Sequence, residues 1–260
     1  MAPRSSLPGY LAPLRDALIE ARRSHTTVDP RALPVPQSDA DAYAVQHAVA
    51  EAFDWFGAPA KAWKVGAASR TATPSAAPLP ANAVVDSPAT FPRSTFNRIL
   101  IEGEIAFRLR APLRAEVPDD MPDAVSASIG DLVVTIEVVD PRYSDLDAAA
   151  PALRLADQGL NGALVVGSGV PWRGSLDWSA QVAILRQNGN VVRQTRGGHP
   201  LGDLLFLVEW LAGHAQERGP SLPAGTVISA GTWTGVFEAA AGDTIDVEFP
   251  GVGRASARFE

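Results

Sequence analysis

Glu102 and Glu104 stand one residue apart in Arg98-Ile-Leu-Ile-Glu-Gly-Glu-Ile-Ala-Phe-Arg108, and Glu137 interrupts the apolar run Leu132-Val-Val-Thr-Ile-Glu-Val-Val139. Side chains alternate faces along an extended chain, so Glu102 and Glu104 share one face and leave Ile101, Ile105 and Phe107 on the other. Carboxylate oxygens converging from two strands are what a hard divalent cation takes as ligands. Glu102, Glu104 and Arg108 also fit the wet face of an ordinary half-buried strand. Glu137 is harder to place that way. Val133, Thr135 and Val139 share its face, while Leu132, Val134, Ile136 and Val138 form the other. A strand apolar on both faces is buried, and a carboxylate there must be paired, protonated or bound to a metal.

Lys64 is the second candidate. It lies between Trp63 and Val65, just before Gly66. Among apolar neighbours its ammonium is expected to be desolvated, which lowers the pKa and suits proton transfer or oxyanion stabilisation. A surface lysine lying over an apolar patch has the same local sequence. The third candidate is Ser229-Ala-Gly-Thr-Trp-Thr-Gly235, whose small residues and hydroxyls let the backbone approach a ligand or simply make a turn. Asp140 and Arg142 follow the Glu137 strand and are candidates to orient metal ligands, or to form a surface ion pair. Asp157, in Leu155-Ala-Asp-Gln-Gly159, suits a turn. His199 reads as part of a helix start rather than a base.

These side chains need a scaffold, and 260 residues with 46% hydrophobic content supply one sizeable core. The net charge of -7 and the absence of a basic run argue against nucleic acid or anionic membranes as partners. There is no cysteine, so thiol chemistry, disulfides and zinc-thiolate sites are excluded. The four histidines show no ligand spacing. No Gly-rich phosphate loop or Gly-x-Ser-x-Gly occurs. No apolar run reaches the roughly 20 residues of a membrane span, and no signal-like stretch follows the N-terminus, so a cytoplasmic location is the expectation.

Helical spacing predicts a helix over 7–23 and a second, capped by Ser38 or Asp39, reaching Phe56. Residues 1–62 thus read as a helical N-terminal region, and 63–260 as a β-rich catalytic part of one integrated domain. Residues 67–98, rich in Ala, Pro, Ser and Thr, read as mostly loop and as an apolar lid, favouring a monocarboxylate ligand. Strands are expected at 99–109, 131–139, 163–170, 180–186 and 190–193, with a tight turn at Asn188-Gly189. An irregular or helical insert is expected over 145–159. A helix is predicted from Leu201 to His214 with Pro200 near its start. The remainder, 225–259, reads as strand-turn-strand. The fold class is α+β.

Taken in order, Trp63-Lys-Val-Gly66, Ile101-Glu-Gly-Glu-Ile-Ala-Phe107, Ile136-Glu-Val-Val-Asp140, Ala156-Asp157, Gly198-His-Pro200, Gly231-Thr-Trp-Thr234 and Phe249-Pro-Gly-Val-Gly253 resemble the fumarylacetoacetase superfamily. The nearest branch is similar to the 2-keto-4-pentenoate hydratases and 4-oxalocrotonate decarboxylases. The resemblance implies a mixed β-roll or barrel-like core, a homo-oligomer, and Mg²⁺ or Mn²⁺ on Glu102, Glu104 and Glu137. It places Lys64 beside a small 2-oxo acid substrate as proton donor or electrostatic partner, and gives Thr232, Thr234 and Asp157 substrate-binding positions. The activity it implies is metal-dependent addition of water to a 2-hydroxy-2,4-dienoate, giving a 4-hydroxy-2-oxo acid in aromatic catabolism. Decarboxylation or C–C hydrolysis on the same site, and a non-catalytic 2-oxo acid-binding role, are the alternatives. Hydrolysis lacks an evident His-Glu pair to activate water. The sequence also departs from the hydratases after the lysine, where Asp86 is the first carboxylate in place of an expected acidic proton-transfer group.

Overall fold

The computed structural model describes residues 6–113, 121–216 and 222–260. Two helices come first, α1 (Ala12–Ser24) and α2 (Asp39–Ala52). Ser38 caps α2 by accepting from the Asp41 amide at 3.2 Å. Their apolar stripes, Leu14 and Leu18 on α1 and Val45 and Val49 on α2, are buried in a cluster with Leu100, Val139, Tyr143 and Leu153. The N-terminal helices are therefore packed on the ends of the strands that carry the glutamates.

Strands then follow: β1 (Ala62–Gly66), β2 (Ser75–Leu79), β3 (Val84–Asp86), β4 (Ala89–Phe91) and β5 (Leu100–Leu109). The short helix α3 (Met121–Ser128) leads into β6 (Ile129–Val139), and α4 (Pro151–Ala156) leads into β7 (Asn161–Pro171). β8 (Val182–Gln187) and β9 (Asn190–Arg196) form a hairpin, with Asn188 at φ 51° and Gly189 at φ 82° as a tight turn requires. Helix α5 (Leu205–Gln216), β10 (Val227–Thr232), β11 (Phe237–Glu238), β12 (Thr244–Phe249) and β13 (Gly253–Phe259) complete the chain.

The strands form two sheets. One runs β2-β1-β10-β5-β6-β7-β3, with β11 added beside β5; the other runs β4-β13-β12-β8-β9. A long apolar cluster lies between them, including Phe107, Val134, Ile136, Leu185, Trp233, Val247 and Phe249. Gly103 shows how tightly they meet: a Cβ there would lie 2.9 Å from Val247 Cγ1 and 3.1 Å from Thr234 Cγ2. The glycine between the two glutamates is thus demanded by the second sheet on the opposite face. Among the described residues no helix is long and apolar enough to cross a membrane.

One expectation gains detail and one needs correction. Most of segment 67–98 lies outside strands, as expected of a mostly loop segment, but it also contributes the short strands β2, β3 and β4. β2 is an edge strand, where Pro78, which has no N–H to give, is tolerated. The helix expected from Leu201 begins at Leu205 instead. Gly202 takes φ 67° and makes a turn, and the Asp203 carboxylate caps the helix by accepting from the Leu205 amide at 3.0 Å.

Candidate metal centre

β5 and β6 pair antiparallel in a register that sets Glu102 directly opposite Glu137 and Glu104 opposite Thr135. β10 flanks β5 on the other side, with Ser229 opposite Ala106 and Thr232 opposite Glu104. One face of three adjacent strands therefore carries three carboxylates. One ligand oxygen from each of Glu102, Glu104 and Glu137 lies within 4.8 Å of the others. Glu104 and Glu137 are each 1% exposed, and Glu102 is half-buried.

Hydroxyls and an amide hold Glu104. Its Oε2 accepts from Ser229 Oγ at 2.5 Å and from the Gly231 amide at 3.1 Å. Ser229 Oγ lies 3.0 Å from Thr135 Oγ1 on β6. The Gly231 amide is presented where β10 breaks register with β5, between Ser229 and Thr232, with Gly231 at φ 95°, and His199 supports this stretch. His199 Nδ1 accepts from the Leu201 amide, so its Nε2 carries the proton and donates to the Ala230 carbonyl at 3.0 Å. Burial holds this imidazole well below its usual range, at about 4, so it remains neutral.

Lys64, on β1, donates to the Glu137 carboxylate and, at 2.8 Å, to the Gly159 carbonyl. Burial alone pulls the lysine pKa down, as expected from its apolar neighbours. The charges of Glu137, Glu102 and Glu104 outweigh burial and raise it. The expected lowering is thus reversed, because β1 and β6 put the ammonium against a carboxylate that the local sequence does not reveal.

One ammonium does not neutralise three carboxylates. Burial, with the Glu137 charge second, raises Glu102 to about 7. The same causes, with Glu102 added, raise Glu104 to about 8, even though Ser229 and Lys64 act in the opposite direction. A buried oxygen cluster short of positive charge fits a hard divalent cation, and the donor set is all carboxylate oxygen as such an ion prefers.

Other expected site residues lie further out. Asp157 is fully buried, and its carboxylate accepts from Arg22 Nη2 at 2.7 Å and from Arg142 Nε at 2.9 Å on both oxygens. Asp140 accepts from the amides of Asn97 and Arg98 and lies 3.5 Å from Arg142 Nη1. Asp140 and Arg142 are therefore parts of a buried ion network behind the site rather than a surface pair. Thr234 Oγ1 accepts from the Gly103 amide at 3.0 Å and donates to the Gly235 carbonyl, while Thr232 Oγ1 donates to the same carbonyl. The two hydroxyls close the turn beside Glu104. Asp86 is exposed on β3, at the sheet edge opposite β2.

The reading of individual residues missed Arg22, the Gly159 carbonyl and Thr135. Cross-strand register brings Thr135 to the site, while packing of α1 brings Arg22 and a left-handed turn brings the Gly159 carbonyl, and the sequence displays none of these. Ser229 had a signal, as the small hydroxyl-bearing residue leading a Gly-rich strand end.

The solved structure of 4-oxalocrotonate decarboxylase from Pseudomonas putida G7, complexed with magnesium and adipate, superposes with a TM-score of 0.80 at 28% identity, over 96% of this chain and 97% of that one. A 4-oxalocrotonate decarboxylase of Pseudomonas putida is 33% identical over 159 residues, a stretch covering 61% of this chain and 59% of that relative's length. A 2-keto-4-pentenoate hydratase of Burkholderia vietnamiensis is 28% identical over 257 residues, 96% of this chain and 97% of the relative. Residues 41–260, which hold all three glutamates and Lys64, match the model described as fumarylacetoacetate (FAA) hydrolase C-terminal. That match spans most of the chain, including the strands β1, β5 and β6 that bring Lys64 and the three carboxylates together, and this chain belongs to the fumarylacetoacetate hydrolase family.

Proposed function

We propose that this protein is a divalent-metal-dependent hydratase that adds water to a 2-hydroxy-2,4-dienoate or its 2-oxo-alkenoate tautomer, giving a 4-hydroxy-2-oxo acid. The observation that carries this reading is the Glu102–Glu104–Glu137 cluster with Lys64 against Glu137. Mg²⁺ or Mn²⁺ bound there supplies a Lewis acid for the carboxylate and 2-oxo oxygens of the substrate. The residues of the chain do the rest. Glu102, Glu104 and Glu137 provide the oxygen ligands. Ser229 and the Gly231 amide fix the direction of Glu104. Lys64 holds a proton at Nζ beside the same face, placed to deliver it to a carbon of the dienolate or to stabilise developing negative charge. Thr232, at the level of Glu104, is proposed to line the substrate's path. Asp157 is proposed to act on the substrate side only through the turn it anchors.

The reading is supported by the hydratase from Burkholderia vietnamiensis, which matches nearly end to end. Decarboxylation is the second reading, favoured by the structural match to the Pseudomonas putida G7 decarboxylase. Both reactions pass through an enolate of the same kind. A cytoplasmic homo-oligomer is proposed on the same likeness to bacterial catabolic enzymes.

The test combines oxalate calorimetry with an absorbance assay. Oxalate is expected to bind only with Mg²⁺, because it imitates the two chelating oxygens. Loss of ultraviolet absorbance from 2-hydroxypenta-2,4-dienoate only with Mg²⁺ supports hydration. Carbon dioxide release from 4-oxalocrotonate without that loss selects decarboxylation. Full turnover in chelator rejects both.

A further inference from the structure

Lys64 does not stand on its strand alone. Its ammonium is held from the far side by the Gly159 carbonyl, at 2.8 Å, and a Cβ on Gly159 would lie 3.1 Å from the lysine's Cδ and Cε. Gly159 sits in an unusual turn. Gln158, Gly159 and Leu160 take φ values of 53°, 60° and 65°, three left-handed residues in succession, two of them with side chains. L-residues disfavour this conformation, so surrounding contacts must impose it.

Those contacts converge on the residue before the turn. Arg142 grips the Asp157 carboxylate through Nε, and its own amide donates to Oδ2 at 3.2 Å. Arg22 closes the other side, with Nη2 at 2.7 Å from Oδ1 and 3.4 Å from the Asp157 carbonyl. That carbonyl also receives the Leu160 amide at 2.8 Å, which closes the turn on itself. Gln158 Nε2 donates to the Gln46 carbonyl of α2 at 2.9 Å. Arg22 belongs to α1, before the 41–260 segment that the family model matches.

We propose that Arg22 is a positioning residue for Lys64: acting through Asp157, it fixes the left-handed turn whose Gly159 carbonyl holds the lysine over the carboxylates. The N-terminal helix is then a working part of the site and not a passive cover. The effect on turnover rests on the hydratase or decarboxylase reading; the effect on Lys64 itself does not.

The test uses full-length protein carrying Arg22→Ala, Arg22→Lys or Leu18→Ala. Asp157 keeps Arg142 in the first two variants, so its charge stays paired. Leu18 is a fully buried α1 residue and serves as a control for simple loosening of the helix. Lys61 and Lys64 are the only lysines, and Lys61 is exposed. Competitive acylation followed by mass spectrometry therefore reads Lys64 against an internal reference. Arg22→Ala is expected to raise the Lys64 to Lys61 labelling ratio at least threefold and to lower kcat at least tenfold, with KM and Mg²⁺-dependent oxalate binding within threefold. Arg22→Lys should fall between Arg22→Ala and the wild type. Leu18→Ala should lower the melting temperature yet leave the ratio and kcat near wild type.

Arg22 borders a cavity of about 250 Å³ that Trp55, Arg142 and Asn161 also line, so added methylguanidinium should restore part of the loss in Arg22→Ala. An unchanged labelling ratio, or an equal change in Leu18→Ala, overturns the proposal. If Arg22→Ala does not fold, the ratio in Arg22→Lys decides, and wild-type labelling there overturns it. If wild-type protein turns over no dienoate or oxalocrotonate, the functional reading fails while the labelling result still judges the clamp.

Discussion

Glu102 and Glu137 face each other directly across the β5–β6 ladder, and Lys64 Nζ sits on the Glu137 carboxylate. Like charges directly opposite one another destabilise a sheet, and burial makes the pair worse. With Glu104 also within 4.8 Å, the fold concentrates negative charge that one ammonium does not balance. Such an arrangement favours either a bound proton or a bound cation.

Proton and cation should therefore compete. Burial and neighbouring charge raise Glu102 to about 7 and Glu104 to about 8, from a usual value of 4.5. Between those values the folded protein holds protons that the unfolded chain has released. Stability without metal is thus expected to fall as pH rises from about 4.5 to 8. Mg²⁺ needs the ionised carboxylates and should reverse the loss. At about 100 times its dissociation constant it adds about 2.7 kcal/mol, or a rise of about 5–10 °C for a protein of this size. Melting curves at pH 6 and 8 check this. The Mg²⁺-induced rise should be larger at pH 8; an equal rise at both would contradict it.

Glu137→Gln preserves volume and removes the charge that faces Lys64. The ammonium, on a side chain 21% exposed, loses a charge-assisted hydrogen bond, a cost of about 1.5–3 kcal/mol. The substitution also takes an ionised ligand from the cluster. Calorimetry is expected to show Mg²⁺ binding at least tenfold weaker, and the thermal rise with Mg²⁺ should largely disappear. Wild-type affinity in this variant would remove Glu137 from the metal site.

Lys64→Met tests the separation of binding from chemistry. The carboxylates remain, so Mg²⁺-dependent oxalate binding should persist within a few-fold. Turnover of the dienoate should drop by about 10²–10⁴, the usual range for loss of a positioned acid or base. Stopped-flow absorbance gives the rate. Near-normal turnover would leave Lys64 with a purely structural role.

Gly103→Ala tests why a glycine separates the two glutamates. Its Cβ would press 2.9 Å from Val247 on the second sheet. Overpacking of this kind costs about 1–3 kcal/mol. The melting temperature should drop by about 2–12 °C, and Mg²⁺ affinity should fall as the flanking carboxylates shift. Unchanged stability would mean the sheets can separate at this point.

By itself, the chain determined whatever depends on local periodicity and residue chemistry. Alternation along 100–109 put Glu102 and Glu104 on one face, and the apolar run around Glu137 marked that carboxylate as buried and in need of a partner. Asn188-Gly189 set the β8–β9 turn, and Ser38 set the start of α2. Short segments whose role depends on neighbours were less legible. Residues 75–79 form a strand only because β1 offers an edge, and Pro200 does not start a helix because Gly202 turns first and Asp203 supplies the cap.

Tertiary structure alone decided which groups meet. Cross-strand register set Glu102 against Glu137 and brought Ser229 to Glu104. Packing of α1 carried Arg22 to Asp157, 135 positions away, and the resulting turn delivered the Gly159 carbonyl to Lys64. Even the direction of the lysine's pKa shift reversed, since burial is read from adjacent residues but charge balance is read from spatial ones. The physical reason is the same in each case. Periodicity records which face a side chain takes, while electrostatic partners are fixed by register and packing between segments far apart in the chain.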